Sequence, residues 1–140
     1  MKERIGAVIL LRGDGAALLQ LRDCKEELRN AGMWVPPGGH AEPSETIETC
    51  AHREFLEETD YNCSKLQLLT DFEDCVEGWP SYQITVFWAC FDGIQKTRCN
   101  EGQALEFIRR EDASSYSIPS YLMNIWDMAI SAAKRKGVIQ

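Results

Sequence analysis

Apolar residues fill Ile5 to Leu11 and recur through Ala16 to Arg22, and the two runs flank Gly13-Asp14-Gly15, a turn sequence that closes hairpins. Two strands are predicted there. A polar, charged loop from Asp23 to Gly32 follows. Leu66 to Glu73 and Tyr82 to Phe91 are rich in β-branched, aromatic and alternating apolar residues and are joined through Gly78-Trp79-Pro80-Ser81, which predicts a further strand pair. Leu105 to Arg109 reads as a short strand. From Pro119 onward Leu122, Ile125, Trp126, Ala129 and Ala133 recur at helical spacing, predicting an amphipathic C-terminal helix ended by Gly137, with Lys134-Arg135-Lys136 at its dipole-favoured end. Trp34, Trp88 and Trp126 are assigned to the core. Repeats, low-complexity tracts and linkers are absent, so one domain over residues 1–140 is expected. Strands and two separate helices around a mixed sheet make it an α/β or α+β sandwich.

The middle of the chain breaks the packing pattern. On a helix running to about Thr59, Ile47, Cys50 and Ala51 form a buried stripe, yet Glu54, Glu57 and Glu58 continue nearly the same sector, where packing alone would place Leu or Val. These carboxylates lie at i, i+3 and i+4 and share one face. Like charges so placed cost an isolated helix about 0.2–0.5 kcal/mol per pair, a strain that a bound hard cation relieves. Oxygen-only ligands favour Mg²⁺ or Mn²⁺ over zinc. Trp34-Val35-Pro36-Pro37-Gly38-Gly39 precedes the helix as a turn whose paired glycines let backbone approach a ligand and whose carbonyls can face a metal. Ser44 is the expected N-cap.

With these residues in hand, Gly39 to Tyr61 resembles the signature of the Nudix hydrolases: Gly, five residues, Glu, seven residues, Arg-Glu, an apolar residue, any residue, Glu-Glu, any residue, Gly, an apolar residue. Gly39, Glu45, Arg53, Glu54, Glu57 and Glu58 match, as do Phe55 and Tyr61. Asp60 stands where the family has glycine, and the left-handed conformation usual after a helix costs Asp about 1 kcal/mol. Pro36 replaces a bulky apolar residue. Asn100-Glu101-Gly102-Gln103 resembles a segment of the small antimutator-type members that adds one more glutamate to the metals, matched here by Glu101. That segment lies outside the helix and is expected to be free to close over the metals.

The resemblance implies the Nudix α/β/α fold with a mixed sheet, its loop-helix and a C-terminal helix. It also implies Mg²⁺- or Mn²⁺-dependent hydrolysis of a nucleoside diphosphate linked to a moiety X. Small size favours nucleoside triphosphate pyrophosphohydrolysis, giving NMP and pyrophosphate. The alternatives are a nucleotide-sugar, ADP-ribose or dinucleoside polyphosphate pyrophosphatase, or a nucleotide-binding module without turnover. Glu57, Glu58, Glu101 and the Gly38 carbonyl are the implied cation ligands, and Glu54 is a ligand or the base that orients water. Arg53 is grouped with these catalytic residues and pairs with Glu45 to fix the turn against the helix. Arg22 at a strand end, Gly39 and His40 after the turn, and Trp79 and Tyr82 as stacking platforms are substrate-binding candidates. An exposed-residue role for Arg22 and His40, and ordinary packing for the two aromatics, compete with that assignment. His52 falls on the outer helix face.

A net charge of −7 argues against a nucleic-acid or acidic-membrane surface and would repel a polyphosphate unless cations carried it. The six cysteines form no C-x-x-C pair and read as reduced, mostly buried thiols of a cytoplasmic protein. The basic start before Ile5 resembles a leader, but Arg12 cuts the apolar run and no small-residue cleavage site follows, so a first strand is the better reading. The expected partner is a small nucleotide, with a monomer or homodimer as the assembly.

Overall fold

The computed structural model describes residues 3–26 and 28–139. Met1 and Lys2 of the basic start, Glu27 of the charged loop, and Gln140 lie outside them. The elements run β1 (Glu3–Leu11), β2 (Ala17–Leu21), β3 (Trp34–Val35), β4 (Gly38–His40), α1 (Ile47–Thr59), β5 (Gln67–Asp74), β6 (Tyr82–Cys90), β7 (Ala104–Ile108), a 3₁₀ turn (Arg110–Ser115) and α2 (Ser120–Arg135). They form one mixed sheet in the order β3-β2-β1-β6-β5, with β4 added to β1 and β7 to β2. Parallel pairing joins β1 to β6 in register from Glu3–Tyr82 to Leu11–Cys90, and the other pairings are antiparallel.

The unbroken apolar run of β1 has a physical reason, since the strand is covered on both faces. Val8 and Leu10 pack with Leu18, Phe87 and Ala89 against Ala51 and Phe55 of α1. Ile9 and Leu11 point the other way, with Leu19, Val86 and Trp88, against Leu122, Ile125, Trp126 and Ala129 of α2. This is the expected α/β/α layering. Each such aliphatic side chain contributes about 1.5–3 kcal/mol on full burial. Trp34, Trp88 and Trp126 are buried, and the Trp126 indole N–H donates to the Gly15 carbonyl at 3.0 Å.

The turn expected over residues 34–39 is instead largely strand. The strands of the first hairpin part after the Leu11–Ala17 pair, and residues 34–40 fill the gap between them. Trp34–Val35 pairs with Gln20 and Leu21, and Gly38–His40 pairs with Ile5 to Ala7. Gly38 is required by proximity, because a Cβ there would lie 2.3 Å from the Gly6 carbonyl oxygen and 2.7 Å from Ala7 Cα.

The start of α1 also differs from expectation. Thr46, not Ser44, is the N-cap, and its hydroxyl accepts the Thr49 N–H at 3.2 Å. Ser44 is held instead in a turn closed by Glu45 N–H to the Glu42 carbonyl. At the other end Asp60 takes the left-handed conformation, φ 63°, which the signature reserves for glycine. The cysteines are free thiols, but only Cys50 and Cys63 are buried, while Cys24, Cys75 and Cys99 are exposed at loops and strand ends. Among the described residues no helix is long and apolar enough to cross a membrane.

Gly38→Ala is expected to destabilise the protein by at least about 1–3 kcal/mol in urea unfolding, as overpacking against backbone does, because β4 cannot retreat from β1 without losing its ladder. A stability within experimental error of wild type would show that β4 is not held at that distance in solution.

Candidate active site

The second half of α1 lays its acids along the seam where the helix meets β2 and β4. Glu58 is on the buried stripe with Cys50, Ala51, Phe55 and Thr59, only 4% exposed. Its Oε1 accepts a hydrogen bond from Gln20 Nε2 at 2.9 Å, and the same amide nitrogen donates to the Glu101 carbonyl at 3.2 Å. Gln20 is itself buried in β2. Burial foremost, then the neighbouring Glu101 carboxylate, pushes the Glu58 carboxyl from its ordinary 4.5 up to about 8, while the Gln20 bond pulls weakly the other way. A carboxyl so placed keeps its proton to a higher pH than a free one.

Glu54 and Glu57 are placed differently from each other. Glu54 packs on Gly39, where a Cβ would meet its carboxylate at 2.4–2.8 Å, so the second glycine makes room for this acid. Glu57 faces outward with its side chain 57% exposed, and the three acids therefore do not share one surface as helical spacing alone predicts. Arg53 explains the split. Its guanidinium grips Glu45 through Nε at 2.7 Å and Nη2 at 2.8 Å, and Nη1 reaches Glu54 at 3.0 Å and Glu57 at 3.4–3.5 Å. Nη2 also donates to the His40 carbonyl at 3.2 Å, which ties the end of β4 to the helix. The guanidinium holds the Glu45 carboxyl down at about 2, and its own pKa is raised in return.

A cavity of about 620 Å³ opens beside this seam. Gly38, Gly39, Glu54, Glu58 and Glu101 line one part of it, and Arg22, His40, Trp79 and Tyr82 line it too, whereas Glu45, Arg53 and Glu57 do not. The His40 ring meets Tyr82 edge-on at 5.6 Å. Residues that sequence reasoning passed over complete the wall: Gln20, Arg29, Asp74 and Tyr121. Arg29 pairs with Asp74 and lies 5.0 Å over the Tyr82 ring, and its Nη1 has no hydrogen-bond partner among the described residues. Nothing in the sequence links Arg29 to Asp74, but Gln20 left a signal. It is the one polar position in an apolar strand, on the same face as Leu18, where a merely structural strand would be apolar.

The segment expected to close freely is anchored. Arg98 and Asn100 donate their backbone N–H groups to the Thr59 and Glu58 carbonyls at 2.8 and 3.0 Å, so Glu101 is held beside the helix end. Among the described residues no three His, Cys, Asp or Glu side chains converge closely enough to hold an ion by themselves. A buried Glu58 that accepts from neutral Gln20, beside Glu101 and Glu54, matches a hard cation that takes one or two carboxylates and completes its shell with water and phosphate oxygens.

Comparison with known proteins agrees with this architecture. The family model described as NUDIX domain matches residues 2–124. A Caenorhabditis elegans relative named as nudix hydrolase 1 is 38% identical over 80 residues, 56% of this chain and 21% of that protein. The chain spans about a fifth of the length of the curated relatives it matches. Among solved structures, a MutT protein from Methanosarcina mazei superposes with TM-score 0.78 at 18% identity over 95% of this chain and 96% of the other. A MutT NUDIX hydrolase from Burkholderia pseudomallei gives 0.79 at 20% identity over 91% and 98%. These likenesses establish the fold.

The raised Glu58 pKa has a consequence for the cation-free protein. The folded state keeps its proton longer than the unfolded chain, so this site's contribution to stability is full below about pH 4.5 and is lost as pH rises through about 8. Glu58→Gln keeps the Gln20 bond and removes the titration. The melting temperature of wild type is therefore expected to fall relative to Glu58→Gln between about pH 5 and pH 8.5, and parallel curves would show that Glu58 is not held protonated.

Proposed function

The chain belongs to the NUDIX family, and from that premise we propose that it is a divalent-cation-dependent hydrolase of a phosphoric anhydride bond in a nucleoside diphosphate linked to a group X. Nucleoside triphosphates, cut to NMP and pyrophosphate, are the substrates proposed first. The observation that carries this reading is one cavity whose lining joins two chemistries, the carboxylates Glu54, Glu58 and Glu101 with the aromatic and basic side chains of Trp79, Tyr82 and Arg29. Its 620 Å³ lies within the range of small-molecule sites, about 300–1,000 Å³.

Glu58, Glu101, Glu54 and the Gly38 carbonyl would hold Mg²⁺ or Mn²⁺, with Glu57 joining from its outer position beside Arg53. When bound, such ions neutralise charge on the phosphate oxygens and lower the pKa of a coordinated water. The chain's own part is to place groups. Glu54, fixed against Gly39 and by Arg53, is either a ligand or the base that orients the attacking water. Arg53 and Glu45 keep β4 and α1 in register, so that the Gly38–Gly39 backbone stays against the carboxylates. Arg22, which lines the cavity, would grip a phosphate bidentately, and the aromatic side chains would offer a face for a base, worth about 1–3 kcal/mol per stacked base. The protein's charge of −7 makes the cations a condition of binding, since a bare polyphosphate is repelled.

The test is a panel of nucleoside triphosphates, nucleotide sugars and dinucleoside polyphosphates assayed with Mg²⁺ and with Mn²⁺ for released phosphate and pyrophosphate. Glu58→Gln is expected to lower kcat at least about a hundredfold, the scale of losing a preorganised charge-stabilising group, with the fold retained. Glu101→Gln is expected to lower kcat about tenfold or more and, because residues 98–101 are already held against α1 in the resting protein, to weaken resting cation affinity as well. An intact panel under both cations would replace this reading with that of a nucleotide-binding module. Near-normal turnover in Glu58→Gln would remove that residue from the site.

A further inference from the structure

The one place where the chain departs from the signature at a glycine carries a contact that glycine cannot make. Asp60 Oδ1 accepts a hydrogen bond from Asn100 Nδ2 at 2.7 Å, and the same amide donates to the Glu57 carbonyl at 3.0 Å. With the backbone bonds from Asn100 to Glu58 and from Arg98 to Thr59, three successive carbonyls at the end of α1 are satisfied by residues 98–100. Helix ends leave such carbonyls without intrahelical partners, so this is where a neighbouring segment can be fastened. Glu101 follows immediately, and its own carbonyl is caught by Gln20, whose amide also holds Glu58. Gly102 then turns at φ +81° so close to β2 that a Cβ would lie 2.6 Å from the Leu21 carbonyl oxygen. Glu101 is thus pinned from both sides.

We propose that Asp60 and Asn100 form a positioning pair that fixes the Glu101 segment beside Glu58, so that the residue costing the helix a left-handed aspartate returns a side-chain anchor for the fourth carboxylate of the site. This rests on the reading of Glu101 as part of the reaction site. The pair touches no reacting atom. It acts by holding residues 98–101 against α1, and a glycine at position 60 would remove the acceptor that fixes the Asn100 amide, leaving that amide its single bond to the Glu57 carbonyl.

Asp60→Gly and Asp60→Asn separate this role from a plain helix cap. Glycine removes the acceptor but relieves the backbone, so the melting temperature is expected to move little. Asparagine keeps an acceptor oxygen and tolerates the left-handed conformation, while removing the charge. In cation-free protein, amide hydrogen exchange at Arg98 and Asn100 is expected to speed up about fivefold to tenfold in Asp60→Gly, the scale of one ordinary hydrogen bond in a local opening. The kcat for nucleotide hydrolysis is expected to fall by a similar factor with KM little changed, and Asp60→Asn to restore both. Wild-type exchange in Asp60→Gly would overturn the pair, as would altered exchange with unaltered kcat. Asp60→Asn as impaired as Asp60→Gly would overturn it in favour of a charge effect. If wild type turns over no nucleotide, the reading of the site has failed, and the exchange measurement still decides whether the pair holds the segment.

Discussion

A carboxyl group with almost no solvent around it is the constraint from which the rest of this structure follows. Glu58 is 4% exposed, sits in the row that packs α1 on the sheet, and has one neutral donor, Gln20, beside it. A lone buried carboxyl is costly to ionise, which is why this one keeps its proton well above its ordinary range. It persists here because neighbouring elements over-determine its position. Phe55 and Ala51 seat the helix on Val8 and Leu10, Gly38 lets β4 lie against β1, and Gly39 leaves room for Glu54. The two-sided burial of β1 makes that seat rigid, with α2 closing the far face. Stability spent on the acid at the seam is recovered in the two cores that flank it.

The arrangement of charge around the seam is uneven in a way that matters for chemistry. Arg53 takes Glu45 through two donors and shares Nη1 between Glu54 and Glu57, while among the described residues no cationic side chain bonds to Glu58. The turn and helix are therefore tied together by an internal ion pair on the outer side, and the inner side is left short of positive charge. An external cation would meet its largest unmet demand there, and in the proposed reaction a substrate carrying phosphates would reach the cavity in company with it.

Much of this was legible in the chain because periodicity and spacing carry it. β1 and β2 show as near-continuous apolar runs, β5, β6 and β7 as strand-like apolar and aromatic runs and α2 as a 3.6 period, and all are found where the pattern puts them, within a residue or two. β3 and β4 are two and three residues long, are flanked by prolines and include glycines, and are strands only because the parted hairpin offers them free edges. No local signal encodes that. The N-cap moved from Ser44 to Thr46 because a tight turn claims residues 42–45 first. Helical spacing put Glu57 with Glu54 and Glu58, but Arg53, one turn earlier, draws it outward. The mobile segment expected around Glu101 is instead bound by contacts spanning forty residues, from Asp60 to Asn100, a distance at which sequence reading has no grip.

On the proposed function, Glu58 and Glu101 would hold a divalent ion in the cavity. Paramagnetic broadening of amide resonances by substoichiometric Mn²⁺ at neutral pH tests it most directly. Signals of residues 38–39, 54–58 and 101–102 are expected to vanish first while those of α2 persist. Broadening centred on exposed acids elsewhere, with residues 58 and 101 untouched, would contradict it.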